Sequence, residues 1–155
     1  MMTEIFPNLE IAYGEIFLSI GALTLLMVGV FKKDSVNLVS WLAVGFMGVA
    51  LALTVMYGAG QHYTFSNLFV ADGFTQFMKI LVLVAAALAV IMSREFFKLE
   101  GDDRFEFPVL LVLATVGMMV MVSANDLMSL YMGIELQSLS LYVLAAFKRD
   151  SERST

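Results

Sequence analysis

Glu135 is the residue in this chain best placed to do chemistry. It lies in the run LMSLYMGIELQSLSLYVLAAF, residues 127–147, where every other ionisable group is a tyrosine. A helix over such a run rises about 1.5 Å per residue and covers about 30 Å, the thickness of a bilayer's hydrocarbon layer, so Glu135 falls close to the midplane. Ionisable groups at that depth face a charged partner or a water-filled path, which makes a functional role the default reading. Met128, Tyr131, Glu135, Ser138 and Tyr142 follow one another at helical steps, so one stripe carries two phenols, a hydroxyl and a carboxylate. Gln137 and Ser140 point elsewhere. A carboxylate whose charge depends on whether a cation stands near it has the chemistry of a proton-relay station. The plainer alternative is a neutral, hydrogen-bonded packing residue.

Two further charges lie inside apolar runs. Lys79 follows Phe74 by five residues and can snorkel to the outer interface along its four-carbon stem, or form a structural pair. Glu15 lies near the outer end of the first run, within reach of water or headgroups. The two could pair with each other if the first and third helices pack together. His62 sits in a polar loop with no further ligands spaced nearby, and reads as a solvated residue; no metal site is expected.

Composition narrows the chemistry. The chain has 155 residues, 60% of them hydrophobic and 15% charged, which marks an integral membrane protein. Its 14 Asp and Glu outnumber 9 Lys and Arg, which argues against a nucleic-acid partner. The absence of cysteine rules out disulfides, iron-sulfur ligation and thiolate nucleophiles within this chain. No nucleophile and base are paired for hydrolysis. The N-terminus, MMTEIFPNLE, is acidic and has neither the basic flank of a signal peptide nor an arginine-rich transit pattern, so the first apolar run is expected to be retained.

The elements that must position these residues are five apolar runs: 11–31, 38–57, 74–93, 107–124 and 127–147. They are continuous rather than alternating, so transmembrane helices are expected and a β-barrel is not. The fold class is therefore all-α and polytopic, a single transmembrane domain. Lys32, Lys33, Arg94, Lys98, Arg104, Lys148, Arg149 and Arg153 all fall in alternate connections, with Lys79 alone inside a span. By the positive-inside rule the N-terminus is outside, in the periplasm, and the C-terminus is cytoplasmic. Asp34 and Ser35 stand where an N-cap for the second helix belongs, Pro108 falls in the first turn of the fourth, and Asp126 can cap the fifth after a tight turn. Gly14, Gly21 and Gly29 on the first helix, and Gly45 and Gly48 on the second, are packing signals. The loop GAGQHYTFSNLFVADG suits a short turn or hairpin at the interface, and REFFKLEGDDRFEF a solvated collar or a contact with a neighbouring subunit.

The block NDLMSLYMGIELQSLSLYVLAAFKRDSERST, with VADGFTQFMKILVLVAAALAVIMS before it, closely resembles the subunit N branch of the antiporter-like membrane subunits of bacterial respiratory NADH:quinone oxidoreductase, complex I. The resemblance covers the chain from the first helix onward and is most specific from Asn125 to Arg149. It implies a proton-translocating subunit of the bacterial inner membrane in which Glu135 is the proton-transfer residue, paired with a lysine on a later helix. It implies no cofactor in this chain, with NADH, flavin, iron-sulfur clusters and quinone held by other subunits. The implied partners are the other membrane subunits, neighbouring antiporter-like ones among them, with lipid and protons. Such subunits have about fourteen helices, with inverted repeats and a central row of lysines, so the chain is expected to be the N-terminal portion of one.

Two other readings use the same residues differently. A small multidrug or cation exporter would use Glu15 to bind its substrate in an oligomer. A structural assembly module would need neither glutamate and would depend on the glycines of the first helix.

Overall fold

The computed structural model describes residues 9–58, 60–101 and 104–146. A 3-10 turn, Leu9–Ala12, leads into α1 (Tyr13–Phe31), followed by α2 (Val36–Tyr57), a hairpin of β1 (His62–Thr64) and β2 (Phe69–Ala71), α3 (Gly73–Glu100), α4 (Glu106–Ser123) and α5 (Leu127–Ala146). The all-α, polytopic expectation holds: all five helices are long and apolar enough to cross a membrane. Phe147, Lys148, Arg149 and Arg153 lie outside the described residues.

Helices α1 to α4 form a bundle in which α1 packs on α2, α2 on α3, α3 on α4 and α4 back on α1. Their buried residues recur at three- and four-residue steps: Leu18, Ala22 and Leu25 on α1, Val39, Ala43, Met47 and Ala50 on α2, Leu83, Ala86 and Val90 on α3, and Val109, Val112, Val116 and Met119 on α4. Large apolar side chains such as Ile20, Leu23, Trp41, Phe77 and Leu88 point outward. In lipid the tails are as apolar as leucine, so such residues face the solvent they prefer, and helix association rests on close packing. α5 stands apart from this core. It packs chiefly on α4, and 11% of its apolar window is buried against 50% for α4.

The contact between α4 and α5 is backbone on backbone. A Cβ added to Gly117 would lie 2.7 Å from Gln137 N and 2.9 Å from the Gly133 carbonyl oxygen, and one added to Gly133 would lie 2.7 Å from Met121 N. Only glycine permits this approach. On α1, Gly14 and Gly21 are filled by Thr54 and Phe46 of α2, and Gly29 by the Phe105 ring. Gly45 and Gly48, expected to pack, instead are exposed with nothing within 4 Å, because their side of α2 turns away from the bundle.

The helix ends correct several boundaries. α3 runs to Glu100 rather than ending at residue 93, so the first half of the expected collar is helical. The sequence REFFKLE contains no helix breaker, and the helix stops at Gly101, whose φ of 70° is left-handed. Arg94 on this extension donates to Asn37 Oδ1 from Nε and Nη2, at 3.1 and 2.7 Å, and lies over the Trp41 ring. Ser35 precedes α2 without capping it; its hydroxyl donates back to the Gly29 carbonyl at 3.2 Å. Asp126 does cap α5, accepting from Ser129 N at 3.0 Å and Met128 N at 3.3 Å. Pro108 is the third residue of α4, as expected.

The loop between α2 and α3 is a hairpin, with His62, Tyr63 and Thr64 paired antiparallel to Ala71, Val70 and Phe69. Phe65, Ser66 and Asn67 turn the chain with φ of 52°, 56° and 68°. The hairpin is tied to the α4–α5 turn by a bridge between Phe69 and Ala124, by Asn125 N donating to the Leu68 carbonyl at 3.0 Å, and by Asn125 Nδ2 donating to the Asn67 carbonyl at 2.8 Å. We call this the hairpin end of the molecule. Lys32, Lys33, Arg94, Lys98 and Arg104 lie at the other, basic end.

Candidate functional site

α5 places Glu135 near half its length, about 12 Å along the axis from Leu127. Gly133 and Ser140 are the buried residues of α5, seven apart on the face toward α4, with Gln137 between them against Gly117. Glu135 is two residues beyond Gly133, about 200° around the helix, so it points almost directly away from α4. It is exposed, as are Met128, Tyr131 at 61% and Tyr142 at 69%, while Ser138 is partly buried. The stripe expected from the spacing therefore exists, and it occupies the face of α5 that no described element covers. Gln137 and Ser140 do point elsewhere, toward α4.

The other two charges come together, away from Glu135. Lys79 Nζ lies 2.5 Å from Glu15 Oε1, inside the bundle, with residue exposures of 3% and 5%. Neither snorkels to the interface. α1 and α3 are not packed neighbours; they stand diagonally across the bundle, so the pair spans its centre. A long lysine stem is what reaches across. The Phe69 ring of the hairpin lies over the ammonium, 5.0 Å from its centroid, within the range of a cation–π contact. The exporter reading required Glu15 to be free for a cationic substrate, and its carboxylate is instead engaged by an internal ammonium.

The hairpin's part in this site was not foreseen, and neither was the cap that aims Lys79. Asp72 Oδ1 accepts from Thr75 N at 2.7 Å while Thr75 Oγ1 accepts from Asp72 N at 2.8 Å, a reciprocal capping box that fixes the start of α3 nearly two turns before Lys79. The spacing of an acid and a hydroxyl three residues apart at the head of an apolar run was the available signal. His62 is exposed on β1, as expected of a solvated residue.

Residues 124–155, which include Glu135 and its stripe, match the family profile described as NADH:quinone oxidoreductase/Mrp antiporter, TM. The chain is 53% identical over 150 residues to NADH-quinone oxidoreductase subunit N of Parvibaculum lavamentivorans, covering 96% of this chain and 31% of that protein. The chain resembles subunit N. The subunit N proteins of Paramagnetospirillum magneticum, at 51% identity over 142 residues, and Rhodospirillum rubrum, at 50% over 147, cover 91% and 93% of the chain and 29% and 30% of their own lengths. The chain thus spans about a third of the length of the subunit N relatives it matches. With five membrane-length helices and this likeness, it is a multi-pass membrane protein.

Proposed function

We propose that this chain is part of a proton-translocating membrane subunit of a respiratory NADH:quinone oxidoreductase in the bacterial cytoplasmic membrane, and that Glu135 is its proton-transfer residue. The observation that carries the reading is the position of Glu135: half-way along a membrane-length helix, on the open face, in line with Tyr131, Ser138 and Tyr142. A charge at that depth on an insertion scale costs about 2.5 to 3.5 kcal/mol, which a face left to lipid would not sustain. Glu135 therefore faces a polar partner supplied by protein outside the described residues, and a lysine there would complete an acid–base pair. The phenols and the hydroxyl beside it can accept and donate hydrogen bonds along the same line.

In this reading the chain supplies the proton path, while NADH oxidation, flavin, iron-sulfur clusters and quinone chemistry belong to other subunits. The N-terminus lies in the periplasm and the basic end faces the cytoplasm, by the distribution of Lys and Arg. The open face of α5 and the neighbouring membrane subunits are its contacts. The test is Glu135→Gln in the intact enzyme, with proton uptake into vesicles and quinone-linked NADH oxidation measured together. Loss of proton translocation is expected; translocation and oxidation both at wild-type levels would refute the assignment.

A further inference from the structure

At the basic end, the turn between α1 and α2 and the start of α4 enclose an open cleft of about 370 Å³. That volume is within the range of about 300 to 1,000 Å³ of small-molecule sites. Gly29, Val30 and Phe105 form its apolar wall, and Lys32, Lys33 and Asn37 its polar one. Neither ammonium has an ion-pair partner among the described residues. Asp34 is the one carboxylate among the described residues that line the cleft, so its wall carries a net positive charge. Arg94 adds a third cation beside it. A guanidinium can only donate, so its two contacts to Asn37 turn Oδ1 toward Arg94 and leave the Nδ2 donors to face another acceptor. Asn37 Nδ2 makes no hydrogen bond among the described residues.

The position of the cleft decides among anions. It opens at the ends of membrane-length helices, beside Val30 and Phe31, which are 64% and 79% exposed. Trp41, one turn along α2 from Asn37, is exposed too, and rings of this kind collect where a membrane meets water. A free inorganic anion would use the lysines and leave the apolar wall unmatched. A glycerophospholipid meets both walls, with its phosphate on the cations and its upper acyl chains on Val30 and Phe105. Basic pockets between membrane helices attract anionic headgroups for this reason.

We propose that this cleft binds the headgroup of an anionic glycerophospholipid, its phosphate held by Lys32, Lys33 and the Asn37 amide. The phosphate oxygens accept from the two ammonium groups and from Nδ2, and the bonds from the lysines are charge-assisted. Arg94 is a positioning residue: it fixes the amide and adds its charge, and it lies over the Trp41 ring, 5.1 Å from its centroid. The acyl chains run along the exposed side of α1 past Val30 and Met27. A zwitterionic lipid brings its own cation to the same wall, where the lysines repel it, so the site selects a net negative headgroup. The site is separate from Glu135 and does not depend on the role proposed for it.

The experiment is photo-cross-linking in the intact membrane complex, reconstituted into phosphatidylcholine nanodiscs with a trace of phosphatidylglycerol carrying a diazirine near its headgroup. Peptides labelled on irradiation are mapped by mass spectrometry. The anionic probe should label residues 29–41, and a phosphatidylcholine probe with the same diazirine should label them several-fold less. At trace level labelling follows the association constant, and each basic group near an anionic lipid contributes a factor of about five, so Lys32→Gln/Lys33→Gln should lower it about tenfold or more. Asn37→Asp keeps an acceptor for Arg94 but puts a carboxylate in place of the amide donors, and should lower labelling as strongly; Asp34→Asn should raise it several-fold. All four side chains are exposed, so the variants leave the packed core intact. Equal labelling by the two probes, or wild-type labelling in the lysine double variant, would overturn the proposal. Loss of wild-type labelling on adding millimolar inorganic phosphate would make the cleft a free-anion site and overturn the lipid assignment. No label on residues 29–41 from either probe would show the cleft covered by neighbouring protein, and would overturn it as well.

Discussion

Removing Lys79 alone should destabilise the bundle far more than removing Lys79 and Glu15 together. The two side chains are 4% and 7% exposed and meet at the centre of four helices, so Lys79→Met leaves a carboxylate with no other cation paired to it among the described residues and a Phe69 ring with no ammonium to cover. Breaking a buried pair in this way costs about 3 to 5 kcal/mol, whereas replacing both partners by groups of similar volume is often neutral. Since each 1.4 kcal/mol is a tenfold change, the single variant should lower the folding equilibrium constant by about a hundredfold to a few thousandfold. Glu15→Gln/Lys79→Met should stay within about 1 kcal/mol of wild type, because methionine fills most of the lysine stem's volume and glutamine is nearly isosteric with glutamate. The assay is denaturant-driven unfolding in lipid–detergent micelles for wild type, both single variants and the double, read as a double-mutant cycle. Single effects that add to within about 0.5 kcal/mol would show that the two charges do not interact, and would refute the pairing across the diagonal.

Other perturbations follow from the same structure. Gly117→Ala sets a Cβ against the α5 backbone, which cannot swing aside as a side chain could, and should cost about 1 to 3 kcal/mol by overpacking; Gly45→Ala, with nothing within 4 Å, should change the unfolding midpoint negligibly. Phe69→Leu keeps an apolar cover on the hairpin but removes the ring face, and should lower stability by up to about 2 kcal/mol, an effect that vanishes when Lys79 is already methionine. The Ser129 side chain and backbone N–H groups hold the Asp126 carboxyl below its usual 3.8. A depressed carboxylate stabilises the folded chain above the unfolded value and loses that contribution as pH falls through the folded one, so the first turn of α5 should fray only below about pH 4. Hydrogen exchange at residues 127–130 checks this, and Asp126→Ala should show the same fraying at neutral pH.

The spans were legible because lipid demands long, continuous apolar runs, and each of the five expected runs falls on one helix. Their ends were less so. The fall in hydropathy after Ser93 marks the edge of the apolar layer, while the helix itself obeys backbone rules and continues until Gly101. Glycine spacing gave a packing signal without a direction: Gly14, Gly21 and Gly29 face partners, and Gly45 and Gly48 do not. The closest approach, Gly117 to Gly133, could have been read, since each lies eight residues from Asn125 and antiparallel helices joined by a tight turn bring such positions level. The stripe around Glu135 was visible because a helical period fixes which residues share a face. The Glu15–Lys79 pair was foreseen only on condition that α1 and α3 pack together, and a stem reaching across a diagonal satisfies it without that packing. Nothing in a linear spacing reports that a hairpin ring will cover the ammonium.

The glycine crossing also sets how α5 can move. It is the closest approach in a contact that extends at least from Gly133 to Ser140 along a 20-residue rod, whose first turn is tethered through Asn125 to the hairpin and whose other end meets no comparable tie among the described residues. A rod held this way tilts about its crossing point. Glu135 lies only about 3 Å along the axis from Gly133, so a tilt of about 10° carries its backbone about 0.5 Å sideways, while Ala146, about 20 Å away, sweeps about 3 Å. The carboxylate sits close to the fulcrum, and its place in the membrane is preserved while the far arm of the lever swings.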